Sequence, residues 1–416
     1  MTSNRRPELR PMAERYRRPD WVRRVNAMAG SVGGDPRRVV PIVAEQMLRD
    51  TESSLGPIRG SFGDPAWQTR FEELARAIDR SAMHVVGRLM SRQELLRALR
   101  TRWLLTRAAD ERPAIEQERI EAPVIVTGPA RSGTSILFEL LWLDPELRAP
   151  AAWEALHPLP PRSPDDGGER LLWSECEQEL WADVQPEFAS IHELRSDLPV
   201  ECVTLTLPCF CGTHWSMIGQ LEGWSLDIPR MYDFHRRILQ VLQHGAPRRR
   251  WLLKTPDHLM TLEDLFATYP DAWLVQTHRD PAKTMPSTVS TTAMVQWMRT
   301  DDVDLAALSG AIEAAFTYAL NHSVEVRSNG LSDRFVDVHF EGLLRDPVAT
   351  LRGAYAQMGR DLGREHADRI VAYLREKPKG KFGTHRYTAE DWGFSTASIR
   401  GNLAPYIDHF GIALEP

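Results

Sequence analysis

No stretch of this 416-residue chain approaches the roughly 20 consecutive apolar residues that a membrane-spanning helix needs. The opening residues, Met1-Thr-Ser-Asn-Arg-Arg6, lack the apolar core of a secretory leader, so none is expected there. Cysteine is scarce: Cys176, Cys202, Cys209 and Cys211 are all there is. Cys209-Phe-Cys211 has no second cysteine pair at zinc-finger spacing, and the thiols read as buried and free rather than as a metal or redox site. There is no excess of positive charge either. Fifty-seven acidic residues against 51 basic give a net charge of −6, which removes any general attraction to nucleic acid or to an anionic membrane. Hydrophobic content of 42% and charged content of 26% are those of a globular protein. The length exceeds one simple core and predicts an α/β domain, residues 119–416, with an N-terminal helical extension, residues 1–118.

What is present centres on Val124 to Leu143. Val124 to Thr127 is a short β-branched run bounded by Pro123 and Gly128, and it reads as a buried strand. From Ile136, the residues Ile136, Leu137, Leu140 and Leu141 share one helical face, and Asp144-Pro145 ends the run. A glycine-bounded loop thus joins strand to helix. Its N–H groups and the positive end of the helix dipole suit a phosphate. Gly128, Gly133 and Ser135 are in register with the nucleoside-triphosphate loop G-x-x-x-x-G-K-[ST], but Thr134 stands where the lysine belongs and Arg131 lies inside the loop. Without that lysine, transfer of a γ-phosphoryl group is disfavoured. The bland alternative is a strand-to-helix turn that merely contains two glycines.

Further along, Trp251 to Lys254 reads as a strand, with Thr255 and Pro256 opening a helix. Trp273 to Thr277 is another buried strand, ending at His278-Arg279, with Asp280 capping a helix and Pro281 in its first turn. Strand–helix–strand implies parallel pairing with a right-handed crossover. Phe335 to Phe340 is the last strand, and Ser395 to Phe410 reads as a closing helix capped by Ser395 and ended at Gly411. Before the central loop, residues 39–50, 65–80 and 82–109 show helical spacing. The arginine-rich first 30 residues read as a solvated surface helix, with a partner-binding arm as the alternative. Residues 169–185 and 199–218 also read as helices, and Trp215 is either a pocket wall or core. Arg131, Lys254 and Arg279 each follow a parallel strand, so three cations from distant stretches meet at one sheet edge, where ligands of open α/β sheets bind.

At Pro129-Ala-Arg-Ser-Gly-Thr-Ser135 the chain resembles sulfotransferases that use 3′-phosphoadenosine 5′-phosphosulfate (PAPS), closest to the bacterial and tyrosylprotein branch with P-R-S-G-T-[ST]. Ala130 replaces that branch's usual proline. The resemblance implies a P-loop-type central parallel sheet flanked by helices and, with no N-terminal anchor, a cytoplasmic enzyme. It implies that Arg131, Ser132, Gly133, Thr134 and Ser135 hold the 5′-phosphate. Lys254 matches the lysine facing the sulfonate and the leaving oxygen. Arg279 and Ser287, eight positions apart, match the pair that binds the 3′-phosphate. The run Lys377 to Tyr387, with Lys381, resembles the segment closing over the nucleotide, or is a basic surface loop. The general base is expected to be Glu154, shortly after the loop helix, with His157 and Glu201 as rivals. Glu201 also fits a helix cap. A family tyrosine is Phe340 here, in Phe340-Glu341. No metal is implied. The reaction implied is transfer of a sulfonate from PAPS to a hydroxyl or an amine, and the acceptor stays open among small molecules, glycans and lipids. A kinase on the same fold and an inactive nucleotide-binding scaffold are the rival readings.

Overall fold

The computed structural model describes residues 9–160, 168–191, 193–247, 249–377 and 388–416. Five strands form one parallel sheet: β1 (Val124–Thr127), β2 (Leu147–Arg148), β3 (Arg250–Lys254), β4 (Trp273–His278) and β5 (Phe335–His339), in the order β2-β3-β1-β4-β5. The chain leaves the middle strand β1 for the β2 edge and later crosses to β4 on β1's other side. The order therefore reverses at β1, the kind of place where a crevice opens beyond the strand ends. Register puts the carboxyl ends level: Val126 lies opposite Lys254 on one side and Val275 on the other.

Both faces of the sheet are covered, which is why β1 is buried along its whole length. Ile125, Leu253 and Leu274 pack with the helices Ile228–Gln243 and Leu262–Thr268. Val124, Val126, Leu252 and Val275 pack against the helices Thr134–Trp142 and Pro347–Gln357. β5 is the exception. It stands at the edge, and its burial alternates.

A third cluster joins residues from both ends of the chain, including Phe71, Leu99, Met294 and Trp392. The helix Val85–Glu111 begins with His84 accepting from the Gly87 N–H at 2.9 Å. Gly87 allows close approach: a Cβ there would stand 2.1 Å from the Arg299 carbonyl oxygen.

Two expected helices are broken. Residues 199–218 form three short pieces: Cys202–Leu205, the 3₁₀ turn Leu207–Cys209 and Thr213–Met217. Pro208 sits in the second piece, and Phe210 after it takes a positive φ of 63°, so no continuous ladder forms. The closing helix divides into Thr396–Asn402 and Ala404–Phe410. Pro405 has no N–H to continue the ladder, while Ser395 and Gly411 cap the two ends as expected. Pro256 opens a 3₁₀ turn, Pro256–Met260, without a side-chain cap from Thr255. No helix among the described residues is long and apolar enough to cross a membrane.

Candidate active site

The loop after β1 is held in an unusual shape by small residues and one hydroxyl pair. Gly128 has φ +134°, and a Cβ on it would stand 2.3 Å from Thr277 Oγ1. Gly133 has φ +91°, and its Cβ would stand 2.8 Å from the Phe340 ring. Arg131 itself lies in the left-handed region at φ 70°, a conformation costly for a residue with a Cβ. Ser132 is buried. Its hydroxyl contacts the Pro129 carbonyl and Thr277 Oγ1, both at 2.5 Å, and its N–H donates to Pro129 O at 3.1 Å. Ser132 thus helps fix the shape of the loop. The helix Thr134–Trp142 starts at Gly133 with no side-chain cap, so no side chain satisfies its first N–H groups.

Around this loop the three expected cations converge. Lys254, buried at the end of β3, donates from Nζ to Ser135 Oγ at 3.2 Å and to Glu201 Oε1 at 2.5 Å. Arg279, just past β4, donates from Nη1 to the Arg131 carbonyl at 2.9 Å, and its guanidinium stacks on Phe340 at 4.2 Å. Arg131 Nη1 donates to the Ile191 carbonyl at 3.3 Å. Ser287 is fully buried in the helix Pro281–Trp297, and its Oγ meets no hydrogen-bond partner among the described residues. An orphaned hydroxyl, an uncapped helix start and two arginines suit an anion with more than one phosphate.

The three acid–base candidates have different surroundings. Glu154 accepts from Arg148 Nη2 at 3.0 Å and from the Ala151 N–H at 3.1 Å, tying down the start of the helix Ala152–Leu156. Both of its oxygens are engaged in that structural work. His157 ends the same helix; its Nε2 lies 3.3 Å from Glu177 Oε1, and its ring packs edge-on against Trp173. Burial alone would raise the Glu177 carboxyl, but the Arg97 guanidinium and His157 hold it below the usual range. Glu201 is the one brought to the lysine. Its approach is set by backbone pairing of residues 196–200 with residues 150–153: Ala152 N–H to Leu198 O at 2.9 Å, Val200 N–H to Pro150 O at 2.9 Å and Trp153 N–H to Ser196 O at 3.1 Å. Glu201 precedes the helix Cys202–Leu205 but makes no side-chain cap, and Thr255 Oγ1 approaches its Oε2 at 3.4 Å.

Trp215 is core: it is buried and its Nε1 donates to Leu207 O at 3.2 Å. Lys377 joins Glu139 at 2.8 Å and Glu193 at 2.6 Å, whereas Lys381 lies outside the described residues. Two contributors escaped sequence reasoning. Thr277 is two residues before Arg279 and looked like ordinary strand. Glu415 accepts from Arg279 Nε and Nη2 at 2.6 and 2.9 Å, and no local motif announces it.

A family model described as "Sulfotransferase family" matches residues 123–363. The chain is 24% identical over 312 residues to omega-hydroxy-beta-dihydromenaquinone-9 sulfotransferase Stf3 of Mycobacterium bovis and of Mycobacterium tuberculosis, spanning 70% of this chain and 75% of theirs. Among solved structures, sulfotransferase STF9 from Mycobacterium avium superimposes with a TM-score of 0.77 at 24% identity, covering 90% of this chain and 98% of that one. Sulfotransferase STF1 from Mycobacterium tuberculosis H37Rv gives 0.68 at 25% identity, covering 86% and 98%.

Proposed function

The chain belongs to the sulfotransferase family, and from that premise we propose that it moves a sulfonate from PAPS to the hydroxyl of an acceptor with an apolar body, releasing adenosine 3′,5′-bisphosphate. The observation that carries this reading is Lys254. One ammonium touches both Ser135 of the phosphate loop and the Glu201 carboxylate, so the donor side and the acceptor side meet at a single nitrogen.

In this reading the loop from Arg131 to Ser135 and the start of its helix take the 5′-phosphate, while Arg279 and Ser287 take the 3′-phosphate. The acceptor oxygen attacks sulfur, the bond from sulfur to the phosphate oxygen breaks, and the electron pair stays on that oxygen. Lys254 meets the charge that develops there. The acceptor proton passes to Glu201, which we place as the base ahead of Glu154 and His157. Glu154 has its oxygens on Arg148 and Ala151, and His157 sits with Glu177 and Trp173.

The apolar body of the acceptor is proposed by analogy with the relatives. The Stf3 relatives are named for a menaquinone derivative, in keeping with such an acceptor. We keep residues 119–416 as the transferring body, residues 1–118 as the helical extension packed on it, and the cytoplasm as the place of action. The test is to incubate the protein with PAPS and a panel of lipid and small-molecule alcohols and look for sulfate esters by mass spectrometry. The reading expects an ester with release of the bisphosphate. Phosphate esters formed from ATP instead would make the protein a kinase.

A further inference from the structure

Arg279 already holds an anion. The two oxygens of the Glu415 carboxylate accept from its Nε and Nη2, a bidentate fork of the kind that a phosphate also forms with arginine. The segment carrying Glu415 is fastened at several points around Arg279. The Glu415 N–H donates to Asp280 Oδ2 at 2.9 Å, and Arg400 Nη2 donates to the Glu415 carbonyl at 2.6 Å. Arg400 also pairs with Asp280, and Lys283 Nζ donates to the Pro416 carbonyl. With Nη1 turned to the Arg131 carbonyl, the fork facing Glu415 is committed. A phosphate dianion brought to the same guanidinium would meet both occupied donors and a like charge. Glu415 is 32% exposed, so it can leave this position without crossing the core.

We propose that Glu415 is the resident anion of the Arg279 site, and that a donor nucleotide binds by pushing it off with its 3′-phosphate. Residues 412–416 then form a latch that a nucleotide with a second phosphate opens and one with a bare 3′-hydroxyl leaves shut. This rests on the assignment of Arg279 to the 3′-phosphate. It adds a selectivity device to that assignment: the latch lowers affinity for the bisphosphate and ties its binding to release of the segment.

The test uses the full chain with Glu415→Gln and Glu415→Ala, titrated calorimetrically with adenosine 3′,5′-bisphosphate and with adenosine 5′-monophosphate. Two substitutions are used because Gln keeps the shape and Ala removes the side chain. Hydrogen exchange at residues 412–416 is followed in the unsubstituted protein. Removing the competing charge should tighten the bisphosphate roughly tenfold in both variants while the monophosphate stays within about twofold. The bisphosphate, and not the monophosphate, should speed exchange in the segment. If the bisphosphate binds all three proteins equally, or binds the variants more weakly, the latch is refuted and the donor assignment stands. If it binds none of them, the donor assignment falls and the latch falls with it.

Discussion

A lysine ammonium with only 3% of its surface exposed must have its charge met inside the protein. Glu201 meets it, and this separates Glu201 from Glu154 in a way that substitution can read. Glu201→Gln should lower turnover by roughly 10²–10⁴, because the amide keeps the shape and loses the basicity. Glu154→Gln should leave turnover near normal and cost roughly 0.5–2 kcal/mol of stability in urea unfolding, the scale of a lost helix-start contact. The reverse pattern would return the base to Glu154. Arg279→Ala should weaken the bisphosphate by roughly 1.5 kcal/mol or more, the worth of a charged hydrogen bond, and leave adenosine 5′-phosphosulfate almost untouched. Equal losses for both nucleotides would move Arg279 away from the 3′-phosphate. At this scale the sequence was most legible for the cations. Arg131, Lys254 and Arg279 each lie at or just after a strand that a short apolar run marks. The carboxylates were less so, since Glu154 and Glu201 both lie near helix starts and only the pairing of residues 196–200 with 150–153 decides which reaches Lys254.

The element that matters most is the turn from β1 into the helix Thr134–Trp142, and its shape depends on the neighbouring strand. Thr277 on β4 contacts Ser132 Oγ at 2.5 Å, and its Oγ1 lies 3.2 Å from the Thr127 carbonyl. Thr277→Val keeps the volume and removes the hydroxyl. It should weaken the bisphosphate and adenosine 5′-phosphosulfate alike by roughly 0.5–1.5 kcal/mol, because the loop serving the shared 5′-phosphate loosens. Thr277→Ser should restore both. A loss confined to the bisphosphate would contradict this role. The strand-loop-helix unit was readable because its apolar runs and glycines are local. Residues 199–218 were misread as one helix because apolar spacing persists across Pro208 and Gly212, which break the backbone without breaking the pattern. The contact between Glu415 and Arg279 spans 136 positions, and nothing at either end encodes it locally.

Across the whole molecule, the helix Val85–Glu111 is bound to the stretch after Pro281–Trp297 by a buried ion pair. Glu94 Oε1 accepts from Arg299 Nη2 at 2.7 Å, and His214 Nε2 lies 3.3 Å from Glu94 Oε2. Burial by itself would raise the Glu94 carboxyl; the Arg299 guanidinium, then His214 and Arg97, outweigh it and hold it at about 2. A carboxyl depressed on folding contributes stability above its unfolded value, near 4.5, and loses it as pH falls toward about 2. Glu94→Ala should therefore cost roughly 3–5 kcal/mol at pH 7, leaving Arg299 buried and unpaired, and the gap to the unsubstituted protein should shrink as the pH drops below 4.5. Urea unfolding at pH 7 and pH 3 measures it, and a gap that does not change with pH would contradict the pairing. The reading of the molecule as a sulfonate carrier is tested most directly by calorimetry of the unsubstituted protein with adenosine 3′,5′-bisphosphate and with ATP, each without added metal and with Mg²⁺. The bisphosphate should bind in both conditions and ATP should fail to displace it; tighter binding of ATP, dependent on Mg²⁺, would contradict the account.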